Sequence, residues 1–219
     1  MVNRVIKTLV ASDFILYFAF GLLGPIFAVF ILQKVPGSSL KVIGLATTFY
    51  WVARTLSTVP LSRFMDKTDG ERDEFYFVVA GSFIISSIPL FYLLINASWH
   101  LYLIQFIYGL ANSMAVPAWR ILFTDHIDNG KTGFEWSLED VGVGIAAASS
   151  AFLGSILADK FGFTLVLVLL SSLGYLATFI LTFLYKEAKT LAEIKKEKRL
   201  QAIIEKRKNP TPLKVDGIK

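Results

Sequence analysis

Six long apolar runs occupy most of the first 185 residues of this 219-residue chain. A helix needs about 20 apolar residues to cross the roughly 30 Å hydrocarbon core of a bilayer. The first run, 9–32, is too long to be the core of a cleavable signal peptide. The chain is therefore predicted to be an all-α, polytopic membrane protein. Its spans are predicted at 9–32, 41–62, 75–97, 99–123, 136–158 and 161–185.

The positive charges are distributed unevenly along the chain. Of the 22 Lys and Arg residues, 11 lie in 186–219, which we predict to be a basic cytoplasmic tail. With the spans placed as above, 18 positive residues fall on the side of the termini and 3 on the other. Both termini are therefore expected in the cytoplasm, beneath a cell (inner) membrane. The tail is expected either to extend the sixth helix or to lie on the membrane surface, where anionic lipids attract basic residues, rather than to bind nucleic acid.

Arg54 lies near the middle of the second predicted span. A charge at that depth is costly in hydrocarbon, so it usually faces a water-filled cavity or an ionic partner. This position predicts a protein that handles polar solutes, with Arg54 as the first candidate for binding them. A structural ion pair with an acidic residue is the alternative.

Further polar and aromatic residues are candidates for the same site. Gln105, Tyr108 and Asn112 share one helical face, and the alternative role for them is polar contact between helices. Trp99 and Trp136 are expected at the membrane interface instead. The predicted solute-binding set is Arg54, Tyr17, Tyr50, Trp51, Gln105, Tyr108 and Asn112.

Two acidic residues in the spans are candidates for proton coupling. Asp13 lies about one turn into the first span, with Tyr17 on the same face, and Glu139 lies at the start of the fifth. Carboxyl groups inside spans often take part in proton relays. The alternatives are that Asp13 reaches interfacial water and that Glu139, with Asp140, stabilises a helix start.

Three segments resemble the major facilitator superfamily. The stretch from Ser62 to Arg72 resembles the family's loop between the second and third spans, with Asp66, Lys67, Gly70 and Arg72 matching its motif apart from two single-residue insertions. Tyr108-Gly109-Leu110-Ala111 resembles the fourth helix. The junction 154–163 resembles the link between the fifth and sixth helices.

The resemblance implies a fold made of two six-helix halves, of which this chain supplies one. We expect a complete half-size chain that forms a C2 homodimer around the solute, rather than a fragment of a longer parent. Small residues recur every four positions from Gly142 to Ala158, either as a dimer seam or as packing within the subunit. The resemblance also implies a cytoplasmic gate formed by Asp66, Lys67, Arg72 and Arg120.

The expected activity is secondary transport of a small polar solute, either sugar-like or an organic anion, by alternating access. Proton coupling through Asp13 or Glu139 is a further hypothesis. The alternatives are a non-transporting scaffold and one half of a longer or heteromeric transporter. We expect neither an enzyme nor a cofactor, because the chain has two His, no Cys and no phosphate-binding or metal motif.

Overall fold

The computed structural model describes residues 2–67 and 70–188, and helices dominate this part of the chain. A 3₁₀ turn at Gly24–Ile26, which contains Pro25, divides the first predicted span into two helices. The predicted tail lies outside the described residues from position 189 onward. The helices are α1 (Arg4–Gly21), α2 (Phe27–Lys34), α3 (Leu40–Met65), α4 (Arg72–Tyr92), α5 (Ser98–Asp125), α6 (Thr132–Phe161) and α7 (Phe163–Thr182).

Local sequence signals account for several of the helix ends. The Asn3 side chain caps α1 by accepting a hydrogen bond from the Ile6 amide at 2.9 Å. Ser39 caps α3 in the same way. Gly162 joins α6 to α7 with φ = +79°, a conformation that favours glycine. These ends leave short links between the long helices.

Five helical segments are long and apolar enough to cross a membrane. They are Arg4–Lys34, Arg72–Tyr92, Ser98–Asp125, Thr132–Phe161 and Phe163–Lys186. Helix α3 is also long, at 26 residues, but it carries Arg54 and several hydroxyl side chains. That α3 crosses the membrane, as predicted for 41–62, stays a proposal. The polar residues of α3 suit a helix that borders a cavity.

The major helix interfaces run in the order α3, α5, α4, α7, α1, α6. Helices α3 and α6 lie at the two ends of this row and are mostly exposed. In α3 only Ala46, Ala53 and Met65 are buried, whereas 10 of the 21 residues of α4 are buried. The bundle therefore has two uncovered edges.

Small residues of α6 pack within the subunit against α1. A methyl group added at Gly154 would overlap the Leu22 carbonyl, and one added at Gly21 would overlap the Ser150 hydroxyl. Ala146 and Ser150 are fully buried. These small residues of α6 therefore serve packing within the subunit, because α1 can approach α6 closely only where the side chains are small. A dimer seam must use other residues of α6.

Two apolar clusters close the ends of the bundle. One contains Ile6, Met65 and Phe123 at the end where α1 begins. The other contains Phe30 and Tyr92 at the opposite end. Between them the helices leave the space in which the candidate site lies.

Candidate functional site

A cavity of about 400 Å³ lies midway along the bundle. Helices α1, α3, α4, α5 and α6 contribute its walls, and the two exposed edge helices α3 and α6 form opposite rims. The lining residues are Asp13, Leu16, Tyr17, Phe20, Tyr50, Arg54, Val78, Ser82, Ile85, Tyr108, Asn112, Ala115, Val116, Trp119, Arg120, Trp136 and Glu139.

Arg54 enters the cavity from α3. That helix can pack closely on α5 because Gly109 has no side chain. Any side chain at that position would overlap the Tyr50 carbonyl. The Arg54 guanidinium donates a hydrogen bond from Nη1 to the Tyr50 hydroxyl at 2.7 Å. Its central carbon lies 5.3 Å from the centre of the Trp51 ring. Among the described residues, no carboxylate forms an ion pair with it.

A pair of carboxyl groups occupies another wall. Asp13 of α1 and Glu139 of α6 both line the cavity, and their carboxyl groups are close enough to interact electrostatically. Tyr17 interacts electrostatically with both carboxyl groups and also with Arg54 and Arg120. The cavity thus holds two guanidinium groups and a carboxyl pair capable of holding a proton.

Aromatic rings form a continuous wall beside Arg54. The Tyr50 and Tyr108 ring centres are 5.0 Å apart. Tyr108 in turn stacks on Phe20 at 5.8 Å with an interplanar angle of 7°. The wall therefore runs from α3 across α5 to α1.

A second aromatic group was missed from the sequence. Trp119 and Trp136 line the cavity, with ring centres 6.2 Å apart. Trp136 is half-buried there, and its place at the membrane interface stays a prediction. Trp136 lies three residues before Glu139 and therefore on the same face of the helix. This spacing could have indicated from the sequence that Trp136 lines the cavity.

Two predicted solute-binding residues lie outside the cavity lining. Gln105 is only 5% exposed, because it lies at the level of the apolar cluster that closes one end of the bundle. The Trp51 side chain is 54% exposed and lies outside the wall, although its ring contacts Arg54. The other predicted members, Tyr17, Tyr50, Tyr108 and Asn112, line the cavity with Arg54.

The four predicted gate residues are spread over the structure. Asp66 and Lys67 are exposed after α3, and Arg72 lies over the Tyr185 ring at 5.3 Å. Arg120 lines the cavity. None of the three ion pairs observed between described residues includes any of these four. Their gating role stays a prediction.

A polar network that the sequence did not predict ties together the loops at the Asn3 end of the bundle. The Asn3 amide donates to the His126 carbonyl and to Asp128 Oδ1. Lys131 Nζ lies 2.8 Å from Asp128 Oδ2. The Asp128 amide donates to Oε2 of Glu135 at 3.1 Å, and Glu135 is fully buried. These residues, with Glu71, are called the loop network below.

His126 extends the loop network to the connection between α3 and α4. Its Nδ1 donates to the Leu122 carbonyl at 2.9 Å, and its Nε2 lies 3.8 Å from Glu71 Oε2. Elsewhere in the network, the hydrogen bond from Lys131 lowers the pKa of Asp128, and the same bond raises the pKa of Lys131. The network thus has paired charges that fix the loops.

Over the described residues, a helical bundle with apolar, membrane-length helices around a charged cavity defines a multi-pass membrane protein. The sequence profile of the Major Facilitator Superfamily matches residues 9–215. The chain belongs to this superfamily of transporters, as its loop and helix motifs predicted.

One solved structure gives a detailed comparison. The in meso crystal structure of PepTSo, a POT family transporter, is similar with a TM-score of 0.65 at 16% identity. The match covers 86% of this chain and 38% of that one, so this chain spans well under half of that transporter's length. The likeness confirms the all-α, facilitator-type fold. No curated protein matches the chain in sequence.

Proposed function

We propose that the protein is a secondary transporter that carries a small polar solute by alternating access. The observation that carries the proposal is Arg54, a guanidinium at mid-depth in a cavity with no carboxylate partner among the described residues. Arg54 is half-buried, and a charge in a membrane span without a partner is costly, so the site favours a ligand that supplies the opposite charge. The protein would lie in a cell membrane with both termini in the cytoplasm.

Of the two solute classes predicted, the geometry favours an organic anion over a sugar. A guanidinium has five N–H donors and can hold a carboxylate through two parallel hydrogen bonds. Only one of the Arg54 donors is used among the described residues, by Tyr50. The remaining donors suit an anionic group.

The carboxyl pair supports proton coupling. Two neighbouring carboxyl groups repel each other when both are ionised, so a proton bound to one of them is favoured. Asp13 and Glu139 come from different helices, so a change in the α1–α6 distance would alter how firmly the proton is held. We propose that this proton accompanies the anion across the membrane.

A second copy of the chain would complete the site. Because α3 and α6 form opposite rims of the cavity, a two-fold axis along the membrane normal places α3 of one copy against α6 of the other. Both helices present exposed small or hydroxyl residues, such as Thr55 on α3 and Ala148 on α6. Close packing of helices in membranes favours such residues.

The dimer can be tested directly because the chain has no Cys. A variant with both Thr55→Cys and Ala148→Cys should form a disulfide-linked species of twice 24.4 kDa in membranes. Leu176→Cys, on the exposed side of α7 away from the cavity, is the control and should not cross-link. A strict monomer by native mass spectrometry would instead support a half that pairs with a different protein.

Transport itself separates this proposal from the scaffold alternative. Purified protein in liposomes should take up a member of a panel of sugars and organic anions when a proton gradient is imposed. Arg54→Leu should abolish that uptake. If Arg54→Leu supports full biological function in cells, the scaffold alternative is correct.

A further inference from the structure

We infer that the transported anion is aromatic: a flat ring carrying one carboxylate or sulfonate group. This inference rests on the proposed anion site at Arg54 and adds the part of the solute that the site recognises beyond its charge. Two features of the cavity carry it: the aromatic wall and the position of that wall relative to Arg54.

The cavity lining is rich in aromatic rings. Six of the 17 lining residues are aromatic, namely Tyr17, Phe20, Tyr50, Tyr108, Trp119 and Trp136. Aromatic side chains pair with other rings in stacked or edge-to-face arrangements, and such pairs are stabilised beyond the burial of their area. The wall from Tyr50 to Phe20 and the Trp119–Trp136 pair together offer rings from α1, α3, α5 and α6.

The ring wall begins at the cation. Tyr50 accepts the Arg54 hydrogen bond through its hydroxyl, and its ring contacts Tyr108. An anionic group held by the free Arg54 donors would therefore place an attached ring within reach of the Tyr50–Tyr108–Phe20 wall.

Matched sulfonates test this inference, since their charge is independent of pH. Isothermal titration of the purified chain in lipid nanodiscs would use benzenesulfonate, cyclohexanesulfonate and methanesulfonate, with benzyl alcohol as the uncharged ring. We expect benzenesulfonate to bind about 3- to 10-fold more tightly than cyclohexanesulfonate. Methanesulfonate should bind more weakly still, and benzyl alcohol should not bind measurably.

Two tyrosine variants locate the preference. Tyr108→Leu should remove the discrimination between benzenesulfonate and cyclohexanesulfonate while leaving methanesulfonate binding intact. Tyr102→Leu is the matched control, because Tyr102 also lies on α5 and stacks on α3, through Phe49, but outside the cavity lining. Tyr108→Phe keeps the ring and should keep the discrimination, which separates ring recognition from misfolding.

Each remaining outcome has a definite meaning. Equal affinity for all three sulfonates, lost in Arg54→Gln, would overturn the aromatic inference and leave the anion site standing. Benzyl alcohol binding as tightly as benzenesulfonate would overturn it too, since the ring would then bind without the site's charge. Failure of every sulfonate to bind would overturn both the inference and the proposed anion site.

Discussion

The cavity and the loop network both contain charged side chains, but the partners of those charges differ. In the loop network, Asp128 accepts from Lys131 and Asn3. In the cavity, Arg54 has only a neutral hydroxyl as hydrogen-bond partner among the described residues. Charges with fixed partners stabilise a fold, whereas a charge without one is free to bind and release a solute. From this difference we expect substitutions in the loop network to affect mainly stability and substitutions in the cavity to affect mainly transport.

Arg54→Gln should give the largest effect in the cavity. Charge-assisted hydrogen bonds contribute about 1.5–3 kcal/mol, so loss of the guanidinium should lower anion uptake by about 10- to 100-fold. The thermal unfolding midpoint should stay the same or rise, because an uncompensated charge is removed. Uptake into liposomes and unfolding in detergent measure the two effects. Arg63→Gln, at the exposed end of the same helix, is the control. Unchanged uptake in Arg54→Gln would contradict the proposal that Arg54 binds the transported anion.

Glu139→Gln should uncouple transport from protons. The amide cannot share a carboxyl proton with Asp13, so uptake driven by a proton gradient should fall to the rate seen without a gradient. Exchange of solute without a gradient should persist. The neighbouring Asp140→Asn, which is exposed and outside the cavity lining, should behave as the unmodified protein. Intact gradient-driven uptake in Glu139→Gln would rule out this pair as the coupling site.

Glu135→Ala should have the opposite pattern, with loss of stability and little loss of transport. It removes the buried acceptor of the Asp128 amide, which destabilises by about 1–3 kcal/mol. Glu135→Gln keeps an acceptor oxygen and should lose less. Chemical unfolding and uptake per folded molecule test this. If Glu135→Ala lowers transport while stability is unchanged, the loop network is part of the transport machinery.

The smallest effect concerns acid stability at the Asp128–Lys131 pair. Lys131 lowers the folded pKa of Asp128 below its ordinary 3.8, so the pair stabilises the fold above that pH. The contribution is lost as the pH falls from 3.8 through the lowered value. Lys131→Gln should therefore make the acid-induced drop in unfolding midpoint shallower. Lys160→Gln, at the other end of α6, should leave the acid profile unchanged.

The fold was predictable because membrane-length apolar runs and loop motifs are local sequence features. The sequence also identified Arg54 and Asp13 as unusual, since charges inside apolar runs are conspicuous. It did not separate Gln105 from Tyr108, although both lie on one predicted face. Whether a residue reaches the cavity also depends on its level along the bundle axis. Helical periodicity predicts the face on which a residue lies but not that level.

The loop network and the packing of α6 were beyond sequence reasoning for a related reason. Asn3 and Asp128 are 125 positions apart, and only the folded bundle brings them together. The small residues of α6 indicated close packing but not the partner. The overlap that any side chain at Gly154 would make with the Leu22 carbonyl identifies α1 as that partner.

Access to the cavity from both sides of the membrane is the most direct test of the central claim. The chain has no Cys, so Asn112→Cys provides a single reactive group in the cavity wall, and Leu176→Cys on the exposed side of α7 provides the control. A membrane-impermeant maleimide would be added to vesicles of each orientation. Alternating access predicts that Asn112→Cys is labelled from both sides and Leu176→Cys from neither. Labelling of Asn112→Cys from one side only, with or without solute, would contradict a transporter that works around Arg54.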